Sequence, residues 1–261
     1  MPSKHIVMFS GGIGSWMTAR RVKETYGNDD IVLVFADTMM EDDDLYRFLN
    51  EAAADIGGEL VILADGRDPW QVFHDVRFLG NSRIDPCSRV LKRELIAKWL
   101  KKTYDPTNCI IYLGMTWMED HRFTRAQRYW TPWTVAAPMC DKPYLLPEQM
   151  MQVCRDAGIA PPRLYSLGFN HNNCGGFCIK AGLGHFYKLL KTMPERYAYH
   201  EQKEIELGKY LGKRVTILRD RTGGESTPLS MTEFRERIES GGQCDMFDLG
   251  GCGCFSPDED E

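Results

Sequence analysis

A chain of 261 residues that is 43% apolar and 26% charged can bury one large core, and this ordinary composition excludes a disordered, fibrous or disulfide-stapled protein. The formal charge of -5 at pH 7, part of it in the acidic end 258–261, excludes a basic field for bulk duplex DNA. No apolar run approaches a membrane span and the start lacks a signal-peptide layout, so the nine cysteines read as thiols of a reducing, cytoplasmic compartment; their odd number fits paired disulfides poorly.

In chain order, the apolar run "HIVMFS" leads through a glycine-rich loop into a helix over "SWMTARRVKETYG". "DIVLVFADT" is followed by the helix "DDDLYRFLNEAAADIG", and "ELVILAD" by a helix near "DPWQVFHDVRFLG". A longer helix, "CSRVLKRELIAKWLKKTY", precedes a fourth strand, "NCIIYLGMT". Strand-length apolar runs alternating with helical periods predict an α/β fold, a parallel twisted sheet flanked by helices on both faces. From Tyr129 prolines and glycines interrupt the pattern: a short helix near 146–158, one helix over 184–208, a strand "RVTILRD" and a cysteine-rich end. The expected division is an α/β domain over 1–128 and a cysteine-rich C-terminal extension over 129–261 packed against it. The aromatic stretch "RYWTPW", with Arg125 and Arg128 nearby, has base stacking or core packing as its readings, and core packing is the commoner use of such spacing.

The loop "SGGIGS" lies at the first strand-to-helix junction, where helix N–H groups and close backbone approach favour an anion. Ser10, Gly11, Gly12, Gly14 and Ser15 are its candidate ligands, and it lacks the lysine of a Walker loop. The loop resembles the SGGxDS pyrophosphate loop of the adenine nucleotide alpha hydrolase superfamily, with Gly14 in place of the family's Asp, a carboxylate that helps organise magnesium or the loop. "FADTMMEDDDLYRFL" is similar to the matching region of phosphoadenosine phosphosulfate (PAPS) reductase-like members, which assigns Asp37 and Thr38 to the nucleotide; the acidic run after them reads mainly as a helix cap. "PCSRVLKRE" resembles the cysteine and LK region of those proteins, making Cys87 and Lys92 catalytic candidates and Cys87 also a metal ligand. "LGMTWMEDHRF" resembles the stretch that supplies the adenine and phosphate side, which implicates Gly114 and Arg122.

Two close cysteine pairs, Cys174 with Cys178 and Cys252 with Cys254, form short thiolate clips. With Cys87 they make five thiols for a four-ligand site, and both a [4Fe-4S] cluster and Zn2+ accept four thiolates. The split between Cys87 and the distant clips favours iron-sulfur. His171 and His185 read as structural histidines, and Cys109, Cys140 and Cys154 as incidental thiols.

The resemblance implies an enzyme that uses ATP with Mg2+, releases pyrophosphate and adenylates a substrate oxygen for cluster-assisted sulfur transfer. The second substrate is then a nucleobase, a nucleic acid or a related compound, with a sulfur-donor protein and a second copy of the chain as further partners and no membrane. Reduction of PAPS or adenylyl sulfate is the rival chemistry. A non-catalytic nucleotide- and metal-binding module is the third reading.

Overall fold

The computed structural model describes residues 4–81, 84–221, 225–250 and 254–255. At its centre is a parallel sheet of β1 Lys4–Met8, β2 Ile31–Asp37, β3 Glu59–Ala64, β4 Cys109–Leu113 and β5 Thr134–Ala136, in the order β3-β2-β1-β4-β5. In β1, His5 stands opposite both Ile31 and Ile110, so the first strand lies at the middle of the sheet. Successive side chains point to opposite faces, and here both faces are covered. Val7, Leu33 and Phe35 pack into one core with the helices α1 Ile13–Tyr26 and α2 Asp43–Ile56, while Ile6, Met8, Val32, Val34 and Ile111 form the core of the other face. The doubly covered α/β sheet expected from the alternating pattern is therefore present.

The short α3 Pro69–Asp75 follows β3. Residues 86–103 form one helical rod made of α4 Pro86–Ser88, π-helical turns over Arg89–Glu94 and α5 Leu95–Thr103. In the π-helical part Leu91, Lys92 and Arg93 are buried one after another, which an amphipathic surface helix does not allow. This rod is sandwiched: Ile96 and Leu100 enter the sheet core, and Lys92 and Arg93 enter a polar interior.

After α6 Phe123–Tyr129 the chain adds the fifth strand. That strand is three residues long and sits in a proline-broken segment, so periodicity did not announce it; it also carries the sheet past the expected boundary at 128. Trp130 and Trp133 of the same stretch are buried in the core, so packing is their role. Then follow α7 Pro147–Asp156, which packs on α1, and the single turn α8 Arg163–Ser166. The helix expected over 184–208 is two helices, α9 Leu183–Thr192 and α10 Pro194–Leu211, because Pro194 has no N–H with which to continue α9. The hairpin β6 Leu218–Asp220 with β7 Thr227–Leu229 and the helix α11 Met231–Glu239 complete a separate apolar cluster built on Phe177, Phe186, Tyr197 and Phe234.

Candidate nucleotide site

The glycine loop bridges β1 and α1. Gly11 has φ +74° and Gly12 is extended at the N-terminus of α1, where no side chain caps the helix and no acidic residue occupies the first turn. Four N–H groups at a helix start lack intrahelical partners, and with the helix dipole they favour an anion. The Ser15 hydroxyl donates to the Gly12 carbonyl at 2.8 Å and the Ser10 hydroxyl to Ser15 at 3.3 Å, so the two serines tie the loop together from within.

Gly114, just after β4, closes on this loop. A Cβ on Gly114 would lie 2.9 Å from the backbone N and Cα of Ser15, and a Cβ on Gly14 would lie 3.1 Å from the Gly114 carbonyl oxygen. Two glycines thus face each other, one on the helix and one on the strand. Their contact falls between β1 and β4, where the strand order reverses and open α/β sheets leave a crevice for ligands.

That crevice opens into a cavity of about 790 Å³. Ser10, Gly12, Gly14 and Ser15 line one part of it, Gly114 and Arg122 another, and Asn172 and Cys254 a third. Of the expected site residues, Ser10, Gly12, Gly14, Ser15, Gly114, Arg122 and Cys254 share this space. Arg122 is held by Glu119, one helical turn away, as the spacing predicts for an ion pair.

Asp37 and Thr38 take a different place. The Asp37 carboxylate accepts hydrogen bonds from the Tyr46 hydroxyl at 3.0 Å and from the Met39 N–H at 2.8 Å, at the end of β2. Thr38 is buried and donates to Glu41 at 2.9 Å. Neither residue is among those lining the cavity. In the acidic run, Asp42 caps α2 through the Asp44 N–H and is gripped by Arg163 at 2.7 Å through two nitrogens. Glu41 does not cap. It is buried, accepts from the Cys174 N–H, and lies 3.9 Å from the Lys92 ammonium. Burial pushes its pKa up, opposed by Lys92 and by its hydrogen bonds to Thr38 and Cys174.

Lys92 is the hub of this polar wall, with its ammonium 3.6 Å from Cys254 Sγ. Ser88 Oγ is 3.9 Å from the same sulfur. Arg93, equally buried, pairs with Asp85 at 3.0 Å, and Lys180 approaches the same carboxylate at 3.6 Å. The thiols of Cys87, Cys174 and Cys254 are close enough to influence one another's ionisation. Burial pushes Cys87 up to about 12, with Asp85 and Cys254 adding to the shift, and raises Cys174 well above the usual thiol range. Cys178 is buried in the apolar cluster beyond, and Cys252 lies outside the described residues. Among the described residues, no three Cys, His, Asp or Glu side chains are arranged to hold a metal ion.

Two contributors, Tyr165 and Asn172, carried no signal in the sequence, while His171 and His185 are the histidines expected to be structural. The Tyr165 hydroxyl accepts from the Ile13 N–H at 3.1 Å, at the mouth of α1. Asn172 donates to the Gly11 carbonyl at 2.8 Å. His171 stacks on His185, with ring centroids 5.0 Å apart. Burial lowers His171 to about 3 and His185 to about 4, so both rings are neutral at physiological pH. Tyr165, on the single turn α8, and Asn172, in a loop, come from a segment remote in sequence, and single polar residues outside long elements have no periodicity to betray them.

The solved structures similar to this chain include two enzymes. A phosphoadenylyl-sulfate (PAPS) reductase from Candida auris, in a phosphate complex, shares 14% identity at a TM-score of 0.44, over 65% of this chain and 80% of that one. An NH3-dependent NAD synthetase from Campylobacter jejuni, in complex with nitrate, shares 12% identity at a TM-score of 0.40, over 81% and 85%. No protein-family model matches the chain, and no curated protein matches it.

Proposed function

We propose that the chain is a nucleotide-dependent enzyme that cleaves ATP between its α and β phosphates. The observation that carries this reading is a single cavity lined both by the glycine loop at the start of α1 and by the Cys254 thiol. The loop offers N–H donors to the pyrophosphate end, and Arg122 on the same cavity adds positive charge. A substrate oxygen attacks the α-phosphorus, the bond to the bridging oxygen breaks, and pyrophosphate leaves with that electron pair into the loop. A sulfur nucleophile supplied by a donor protein then displaces AMP from the adenylated carbon of a nucleobase or related substrate. Mg2+ would arrive with the nucleotide's phosphates, and Glu119 and Glu148, which line the cavity, are the carboxylates that would help to hold it.

Cys87, Cys174, Cys178, Cys252 and Cys254 are the thiols toward which a [4Fe-4S] cluster or Zn2+ would be bound. What supports this is the electrostatic influence of Cys87, Cys174 and Cys254 on one another and the softness of thiolate ligands; among the described residues these thiols do not by themselves surround a common point. Such a centre would supply a place to hold sulfur; the residues around it, Lys92 and Ser88, supply a positive charge and a hydroxyl next to Cys254.

The second reading is reduction of PAPS or adenylyl sulfate, favoured by the position of Cys254 in the wall of the same cavity. The two are separated by supplying each nucleotide to reduced full-length protein. Pyrophosphate and AMP from ATP, in the presence of Mg2+ and candidate nucleobase substrates, are the expected products; sulfite from a sulfonucleotide without ATP would defeat the thiolation reading.

A further inference from the structure

We propose that Asn172 is a positioning residue of the anion cradle: it locks the Gly11–Gly12 peptide so that the N–H, and not the carbonyl oxygen, is presented to a bound pyrophosphate. The inference rests on the nucleotide reading above and adds to it a residue 161 positions from the carbonyl it holds.

The peptide between two glycines turns over at little steric cost, because neither side has a Cβ to resist. Gly11 already occupies the left-handed region at φ +74°, and Gly12 is extended at φ -101° and ψ 162°. The carbonyl and N–H of one planar peptide point in opposite directions, so fixing one fixes the other. Turned over, this peptide would present a partial negative charge where the cradle has to present a partial positive one. The Asn172 side chain, 2% exposed, donates to the Gly11 oxygen at 2.8 Å and holds the plane in one of its two orientations.

The same residue lines the cavity beside Gly12 and Ser15. Two positions later the Cys174 N–H is bound by Glu41, which reaches Lys92. The segment 172–174 is thus anchored in the anion loop at one end and in the thiol wall at the other, so the donor on Asn172 is not free to drift from its carbonyl.

The test is calorimetric titration of full-length wild type, Asn172→Ala and Asn172→Asp with inorganic pyrophosphate, and separately with adenosine. The alanine variant is expected to bind pyrophosphate about tenfold more weakly, and the aspartate variant more weakly still, because a carboxylate repels both the Gly11 oxygen and the anion. Adenosine has no phosphate, so its binding should stay within about twofold of wild type, whereas general damage to the cavity would weaken both ligands alike. Equal losses for the two ligands, or pyrophosphate binding by the variants that matches wild type, would overturn the positioning role alone. A wild-type protein that binds no pyrophosphate would overturn the nucleotide reading and the inference together.

Discussion

Gly14 is the residue on which the expectation of an ATP site and the observed packing meet most directly. Where similar loops have an aspartate, a Cβ here would stand 3.1 Å from the Gly114 carbonyl oxygen, tighter than an ordinary contact, and its carboxylate would extend from there. The glycine is therefore matched to Gly114, and a side chain at position 14 would press on the end of β4. Gly14→Asp is expected to destabilise the protein by about 1–3 kcal/mol, as overpacking does, without raising pyrophosphate release. Thermal unfolding and a pyrophosphate assay check this; faster release at unchanged stability would mean that the loop had simply lost a catalytic group.

Among the elements, one buried carboxylate ties α10 to the segments on either side of the β6–β7 hairpin in the C-terminal lobe, the part of the chain that builds the Phe177, Phe186, Tyr197 and Phe234 cluster. Glu204, on α10, accepts the Ile217 N–H just before β6 through one oxygen and the Met231 N–H of α11 through the other, each at 2.8 Å. Burial raises its pKa from 4.5 to about 7, against the two backbone bonds, which favour the charged form; Glu201 and Glu233 add to the rise and Arg235 is engaged by Glu201. Between pH 4.5 and about 7 the native state thus keeps a proton that the unfolded state has released, so Glu204 makes stability fall as pH rises through that window. Relative to Glu204→Gln, which does not titrate, wild type should lose up to about 3 kcal/mol of stability between the two ends of the window. Denaturant titrations of both proteins at several pH values measure this, and parallel pH profiles would contradict it.

At the scale of the whole molecule, two cores sandwich the sheet and a third lies beyond it, and the polar wall of Lys92, Asp85 and the thiols lies where the rod 86–103 meets the C-terminal lobe. The chain's end is drawn back over this junction. Asp248 accepts from the Gly184 and Leu183 N–H groups at the start of α9, and the Trp130 indole donates to the Phe255 carbonyl at 3.1 Å. Gly182 and Gly184 leave room for that passage, since a Cβ on either would collide with the 246–248 backbone. This path delivers Cys254 to the cavity. Anaerobically prepared protein is expected to carry about four iron atoms per chain with broad visible absorption, and Cys87→Ser to lower the iron content. Colourless protein with about one zinc per chain would replace the cluster by the alternative metal.

The alternating apolar runs determined the parallel sheet and its two covered faces, because burial on both sides demands that pattern from local sequence alone. The glycine loop was equally legible, since a strand, a turn with no room for side chains and a helix start follow one another within a few residues. Tertiary structure decided the rest. It placed Thr38 in a buried network instead of the cavity, turned Glu41 into that network instead of the expected helix cap, brought Tyr165 and Asn172 to the loop from the other half of the chain, and returned Cys254 to Lys92. The contacts of Tyr165, Asn172 and Cys254 each join groups more than a hundred residues apart, and no periodicity or local propensity encodes which distant donor meets which acceptor; only the packing of the three cores does.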